Sequence, residues 1–97
     1  MPAMHYHLRW PDGLESACYS PSLVIKDFFD AGTTYPLPTF LSKVREATQI
    51  ASDRVRAKYG FACSMAADQL HRIETEAARF ADTAGAQVVV IRFDDAP

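Results

Sequence analysis

The sequence predicts an α+β fold: an antiparallel sheet of about three strands, covered on one face by two main helices and one short helix. Three observations carry this. Met4, Tyr6, Leu8 and Trp10 alternate with His5, His7 and Arg9, the period of a half-buried strand. From Pro38 to Tyr59, and again from Ser64 to Ala81, apolar residues recur at three- and four-residue steps, the period of an amphipathic helix. Gln87 to Phe93 then supplies a strand-length apolar run. With 97 residues the chain has the size of a single domain, residues 1–97. Its composition, 48% hydrophobic and 23% charged, excludes disorder, collagen-like repeats and a disulfide scaffold.

Each element has a local reason. Trp10-Pro11-Asp12-Gly13 is turn chemistry, with proline presetting φ and glycine accepting the left-handed conformation of a bulged hairpin loop. That loop length pairs Trp10 with Leu14, Leu8 with Ser16 and Tyr6 with Cys18, and sets Arg9 opposite Glu15 on the other face. Ser20-Pro21-Ser22 reads as a helix start, Ser20 the N-cap and Pro21 the first helical residue. Leu23, Val24, Ile25, Phe28 and Phe29 would form its buried side, with a third strand as the competing reading of residues 21–29. Asp30 to Pro38 reads as a loop. Phe40, Leu41, Val44, Ala47, Ala51 and Val55 define the long helix, which Gly60 ends. Ala66, Leu70, Ile73, Ala77 and Phe80 define the next.

Ten basic against twelve acidic residues, with a pI near 5.8, argue against a nucleic-acid binder. No apolar run approaches the roughly 20 residues that span a bilayer, so no membrane partner is expected. Without a basic, then apolar, N-terminal segment the expected location is the cytoplasm. There the two cysteines, Cys18 and Cys63, would be reduced thiols.

Arg9-Trp10-Pro11-Asp12-Gly13, Cys18-Tyr19-Ser20-Pro21-Ser22 and the segment from Ala51 to Phe61 followed by Cys63-Ser64 resemble a family of small bacterial proteins named for a nitrogen-starvation response. The resemblance runs from about Met4 to Phe80. It implies a role beside a nitrilase, a radical-chemistry protein, an acetyltransferase-like protein and a flavin oxidoreductase in assimilating nitriles or cyanide. It brings no agreed activity and no catalytic residues.

The residues themselves offer few sites. Cys63 lies at the predicted start of the last helix, where the dipole favours thiolate, but free cysteines are more often small buried hydrophobes. Cys18, opposite Tyr6, reads as packed. His5 and His7 project from one face and His71 could approach them, yet zinc sites need three or four ligands. No metal and no cofactor is expected. Arg54, Arg56 and Lys58, with Lys43 and Arg45 earlier, form a basic cluster that ordinarily only complements a helix C-terminus. Tyr19, Tyr35, Tyr59 and Phe61 sit at element ends, where rings close cores or anchor interfaces.

The favoured reading is a non-catalytic accessory protein that binds a pathway protein or a small anionic ligand. The alternative is a small enzyme, or enzyme subunit, using Cys63 or the cluster around Arg56. Binding is expected where two junctions meet, with Tyr19, Ser20, Ser22, Arg54, Arg56, Tyr59 and Cys63 in one patch. Unless Gln87–Phe93 is central in the sheet its exposed edge invites pairing with another chain, so a homodimer is expected.

Overall fold

A computed structural model describes residues 3–61 and 64–96. Strands β1 (Ala3–Arg9) and β2 (Glu15–Ser20) form the hairpin in the expected register: Tyr6 faces Cys18, Leu8 faces Ser16 and Arg9 faces Glu15. The Trp10 N–H donates to the Leu14 carbonyl (2.8 Å) and the Gly13 N–H to the Trp10 carbonyl (2.9 Å). Gly13 has φ +88°, a conformation that side chains resist, so a substitution there strains the loop.

The next stretch departs from expectation. Ser20 is the last residue of β2 and caps no helix. Its hydroxyl donates to the Ser22 carbonyl (2.7 Å) and accepts the Ser22 N–H (3.4 Å), closing a local turn. The short helix α1 covers only Ile25–Phe28, with Val24 at its N-cap. In the segment read as a loop, Thr33–Pro36 forms a fourth strand, β3. Its threonines and tyrosine suit a pleated surface, and β4 (Gln87–Ala96) supplies the surface.

The sheet is antiparallel throughout, in the order β2-β1-β4-β3. The α+β fold is as predicted, with one more strand. β4 is central, bonded on both sides, so the edge that was to attract another chain is satisfied within this one. Helix α2 covers Leu37–Tyr59 and α3 covers Ser64–Ala78. α3 stops short of Ala81 because the N–H groups of Arg79, Phe80 and Ala81 bond three residues back, tightening into turns.

Tyr6, Leu8, Trp10 and Cys18 from the hairpin and Val88 and Val90 from β4 face Phe40, Val44 and Ala47 of α2 and Ile73 and Ala77 of α3. Trp10 ties the layers together. Its ring stacks on Phe80 (6.3 Å between centroids) and meets Phe40 edge-on (6.0 Å), while its Nε1–H donates to Ser16 Oγ (2.9 Å). Phe29 packs on Phe40 from the other side (5.4 Å). The opposite sheet face carries His5, His7, Arg9, Ala17 and Arg92, none of them in the core, and no helix among the described residues covers it. The molecule measures 41 × 22 × 18 Å, and α2 at roughly 35 Å exceeds both shorter dimensions. The buried positions of α2 end at Val55, and the turn beyond is exposed.

Phe40 is fully buried at the centre of this packing. Phe40→Ala should cost about 3–5 kcal/mol in urea denaturation and Phe40→Leu under about 1.5 kcal/mol. An alanine effect below about 1 kcal/mol would contradict the central position of that ring.

Candidate functional site

The turn after β2 and the C-terminal third of α2 meet. Arg54 Nη1 donates to Ser22 Oγ (2.9 Å), and the same hydroxyl oxygen accepts the Val24 N–H (3.3 Å). Ser20, Ser22 and Arg54, three of the residues expected in one patch, are therefore together. Both serines are buried and satisfied inside the turn. Arg54 fastens the turn to α2, which commits one of its donors to the fold.

The basic cluster does not act as one group. Lys43 Nζ donates to the Phe28 carbonyl at the end of α1 (3.3 Å), and Arg45 pairs with Glu74 of α3 (3.5 Å). Only Arg56 and Lys58 stand at the projecting end of α2, both exposed. Gly60 ends the helix at φ +83°, its N–H donating to the Arg56 carbonyl (2.8 Å), and the chain reverses there. Tyr59 (51% exposed) and Phe61 (68%) flank the reversal with ring centroids 6.4 Å apart. Lys58 Nζ lies 5.5 Å from the Tyr59 ring centre, a cation–π distance. Arg56 is three residues before Tyr59, on the adjacent part of the helix surface. Met65, in the first turn of α3, is 59% exposed. Together Tyr59, Phe61 and Met65 are large apolar side chains that folding leaves in water.

Tyr19 belongs elsewhere. Its ring is on the open sheet face, edge-on to His5 (6.2 Å), and its N–H donates to Gln69 Oε1 of α3 (3.0 Å). A groove of about 280 Å³ there is lined by Tyr19, His5, Ala17, Met65, Gln69 and Arg72 among others. A larger one, about 580 Å³, continues along the β2 edge past Cys18 and Trp10. Neither includes Arg56 or Tyr59. Cys63 lies outside the described residues, so its place relative to either junction does not enter the site. Sequence reasoning missed Gln69 and Arg72, whose importance depends on α3 lying beside β2, and it passed over Met65.

His5 and His7 face the open side of the sheet, whereas His71 is on α3 and lines the larger groove. His7 Nε2 donates to Asp94 Oδ2 (2.6 Å), and Arg92 Nε approaches the same oxygen (3.4 Å). Among the described residues no three histidine, cysteine or acidic side chains are grouped to hold a metal ion. No helix among them is long and apolar enough to cross a membrane.

Residues 5–93 match the family of the nitrogen starvation-induced protein NitG. The chain belongs to the NitG family. No curated protein and no solved structure matches it. The NitG match begins at His5 within β1 and runs into β4 as far as Phe93, past Phe80 where the resemblance of the quoted motifs ends, and it takes in most of the hairpin, both main helices and the projecting end.

Two titrations follow from this geometry. Burial pushes the Cys18 thiol up to about 12, so almost none of it is thiolate at neutral pH. In a Cys63→Ser background, Cys18 should resist an alkylating reagent at pH 8 until denaturant is added; modification of the native protein within minutes would contradict its packing. The His7 hydrogen bond, aided by Arg92, holds the Asp94 carboxyl below the usual carboxylate range. A group lowered on folding stabilises above its unfolded pKa and loses that contribution as pH falls through the folded value. Asp94→Asn should therefore be less stable than wild type at neutral pH, with the gap closing below about pH 4. A gap unchanged down to pH 2 would contradict the pairing.

Proposed function

We propose that this NitG-family protein is a non-catalytic accessory protein of the nitrogen-starvation response, acting in nitrile assimilation by docking a partner protein on the projecting end of α2. The supporting observation is the exposed Tyr59–Phe61 pair beside Arg56 and Lys58. Aromatic side chains anchor interfaces because they bury much area at small entropic cost, and arginine is their usual companion. Neither ring is in the hydrophobic core, so folding does not explain them. The cations give the docked surface its chemistry: an apolar patch with an acidic rim.

The small anionic ligand is the weaker reading. Arg54, its best cation, already donates to Ser22, and the serine hydroxyls are engaged in the turn.

The test separates binding from folding. Tyr59→Ala with Phe61→Ala, and separately Arg56→Ala, should leave the thermal midpoint within about 3 °C of wild type, as exposed substitutions do. Used as bait in extracts of nitrogen-starved cells, wild type should retain a partner that the double variant loses. Arg56→Ala should weaken binding of that purified partner by about tenfold. Equal retention by wild type and double variant, or a large drop in midpoint with unchanged retention, would overturn the reading.

A further inference from the structure

The two edges of the sheet are closed differently. In β3 the ladder ends with the Leu37 N–H donating to the Ala86 carbonyl (2.9 Å), so alternation turns Tyr35 toward β4 and Thr34 and Pro36 outward; at the other end the Gly32 N–H donates to the Val90 carbonyl (2.6 Å) and the Thr33 N–H turns back to the Asp30 carbonyl (3.2 Å). Four residues with an outward proline make a blunted edge. In β2 the Trp10–Leu14 bond makes Leu8–Ser16 and Tyr6–Cys18 the bonded pairs, which turns the N–H and C=O of Ala17 and Tyr19 away from β1. The Tyr19 N–H agrees with this, since it donates to Gln69 Oε1. A side-chain amide carbonyl occupies the place that the peptide carbonyl of a further strand would take. Ala17, one step along, has no such cover among the described residues. It is exposed, and its methyl group leaves room for another chain.

Helix α3 runs beside this edge without closing it, leaving the two grooves that meet at Ala17. Arg72 and Gln69 line both. The acidic groups nearby are mostly taken: Glu76 by Arg79 (2.6 Å) and Glu15 by Arg9 (3.1 Å). Arg72 has no ion pair within 4.0 Å among the described residues, and Asp68 lies one turn before it.

We propose that the β2 edge is a strand-addition site, taking an extended segment of a partner polypeptide that carries a carboxylate side chain opposite Arg72. Ala17 supplies one donor and one acceptor to the added backbone, and the Tyr19 N–H supplies a further donor once Gln69 yields its place. Arg72 selects the side chain by charge. It also disfavours a second copy of this chain, because a two-fold axis through Ala17 brings two copies of Arg72 together. This surface is separate from the end of α2, so it stands whether or not that end docks a protein.

Two synthetic peptides test it on the intact chain. Both are about six residues long, the usual strand length, alternate threonine and valine, have blocked ends, and differ only in a central Glu or Lys. In an amide-resolved NMR titration the Glu peptide should shift the Ala17 and Tyr19 amides and bind about tenfold more tightly than the Lys peptide. Ala17→Pro removes an outward N–H that an edge strand can spare, and should abolish binding with the thermal midpoint retained. Arg72→Glu should reverse the preference between the peptides, and it carries the test alone if the proline variant does not fold. Failure of both peptides to bind, an unmoved Ala17 amide, or unchanged binding by the variants would overturn the proposal. So would a peptide-free dimer that Ala17→Pro separates into monomers, which would assign the edge to a second copy.

Discussion

Burial of one sheet face, and one only, is the constraint from which the other features follow. Tyr6, Leu8 and Trp10 point to the same side of β1, and Cys18, Val88 and Val90 extend that apolar surface across the neighbouring strands. A one-residue slip of β1 against its neighbours would turn its apolar side chains to water, so the register is held by the core those side chains enter. Trp10 converts the sheet into a layered domain by touching Phe40 of α2 and Phe80 beyond α3 at once. Helix α2 covers that apolar surface. It packs on that face through Phe40, Val44 and Ala47, and its last turn, beyond Val55, holds no buried residue.

The remaining surfaces take their character from that arrangement. Val55 is the last α2 residue held by the interior, and Arg56, Lys58, Tyr59 and Phe61 follow it into solvent. Residues there are free of packing demands, which is why large aromatics at that place point to binding. α3 is shorter and lies over the β2 side, where Gln69 reaches the strand edge and Arg72 faces open space. The open sheet face is polar, with Arg9–Glu15 and His7–Asp94 pairs across strands. Such exposed pairs support register more than stability.

What was legible in the sequence was local. The hairpin could be read residue by residue because loop length, alternation and the Arg9–Glu15 pair agree. The two long helices could be read from their repeats, and Gly60 marked the end of the first. β3 could not, because Thr33, Thr34 and Tyr35 become a strand only when β4 lies alongside, and β4 arrives more than fifty residues later in the chain. Ser20 misled for a different reason: a serine before proline reads as a cap, whereas this hydroxyl closes a turn on Ser22. Of the candidate patch, the aromatic end of α2 and the Ser22–Arg54 meeting were within reach. The β2 edge was not, since the meaning of Gln69, Arg72 and Ala17 lies wholly in their juxtaposition.

The central claim is a division of the long helix into a part that holds the fold and a part left over for binding. Amide hydrogen exchange along α2, resolved by residue, tests it most directly. Amides from Val44 to Val55 should exchange only through global unfolding, whereas those of Arg56 to Tyr59 should exchange orders of magnitude faster through local fraying. Uniform slow exchange through Tyr59 would contradict the division, because it would place the aromatic end inside the cooperative core.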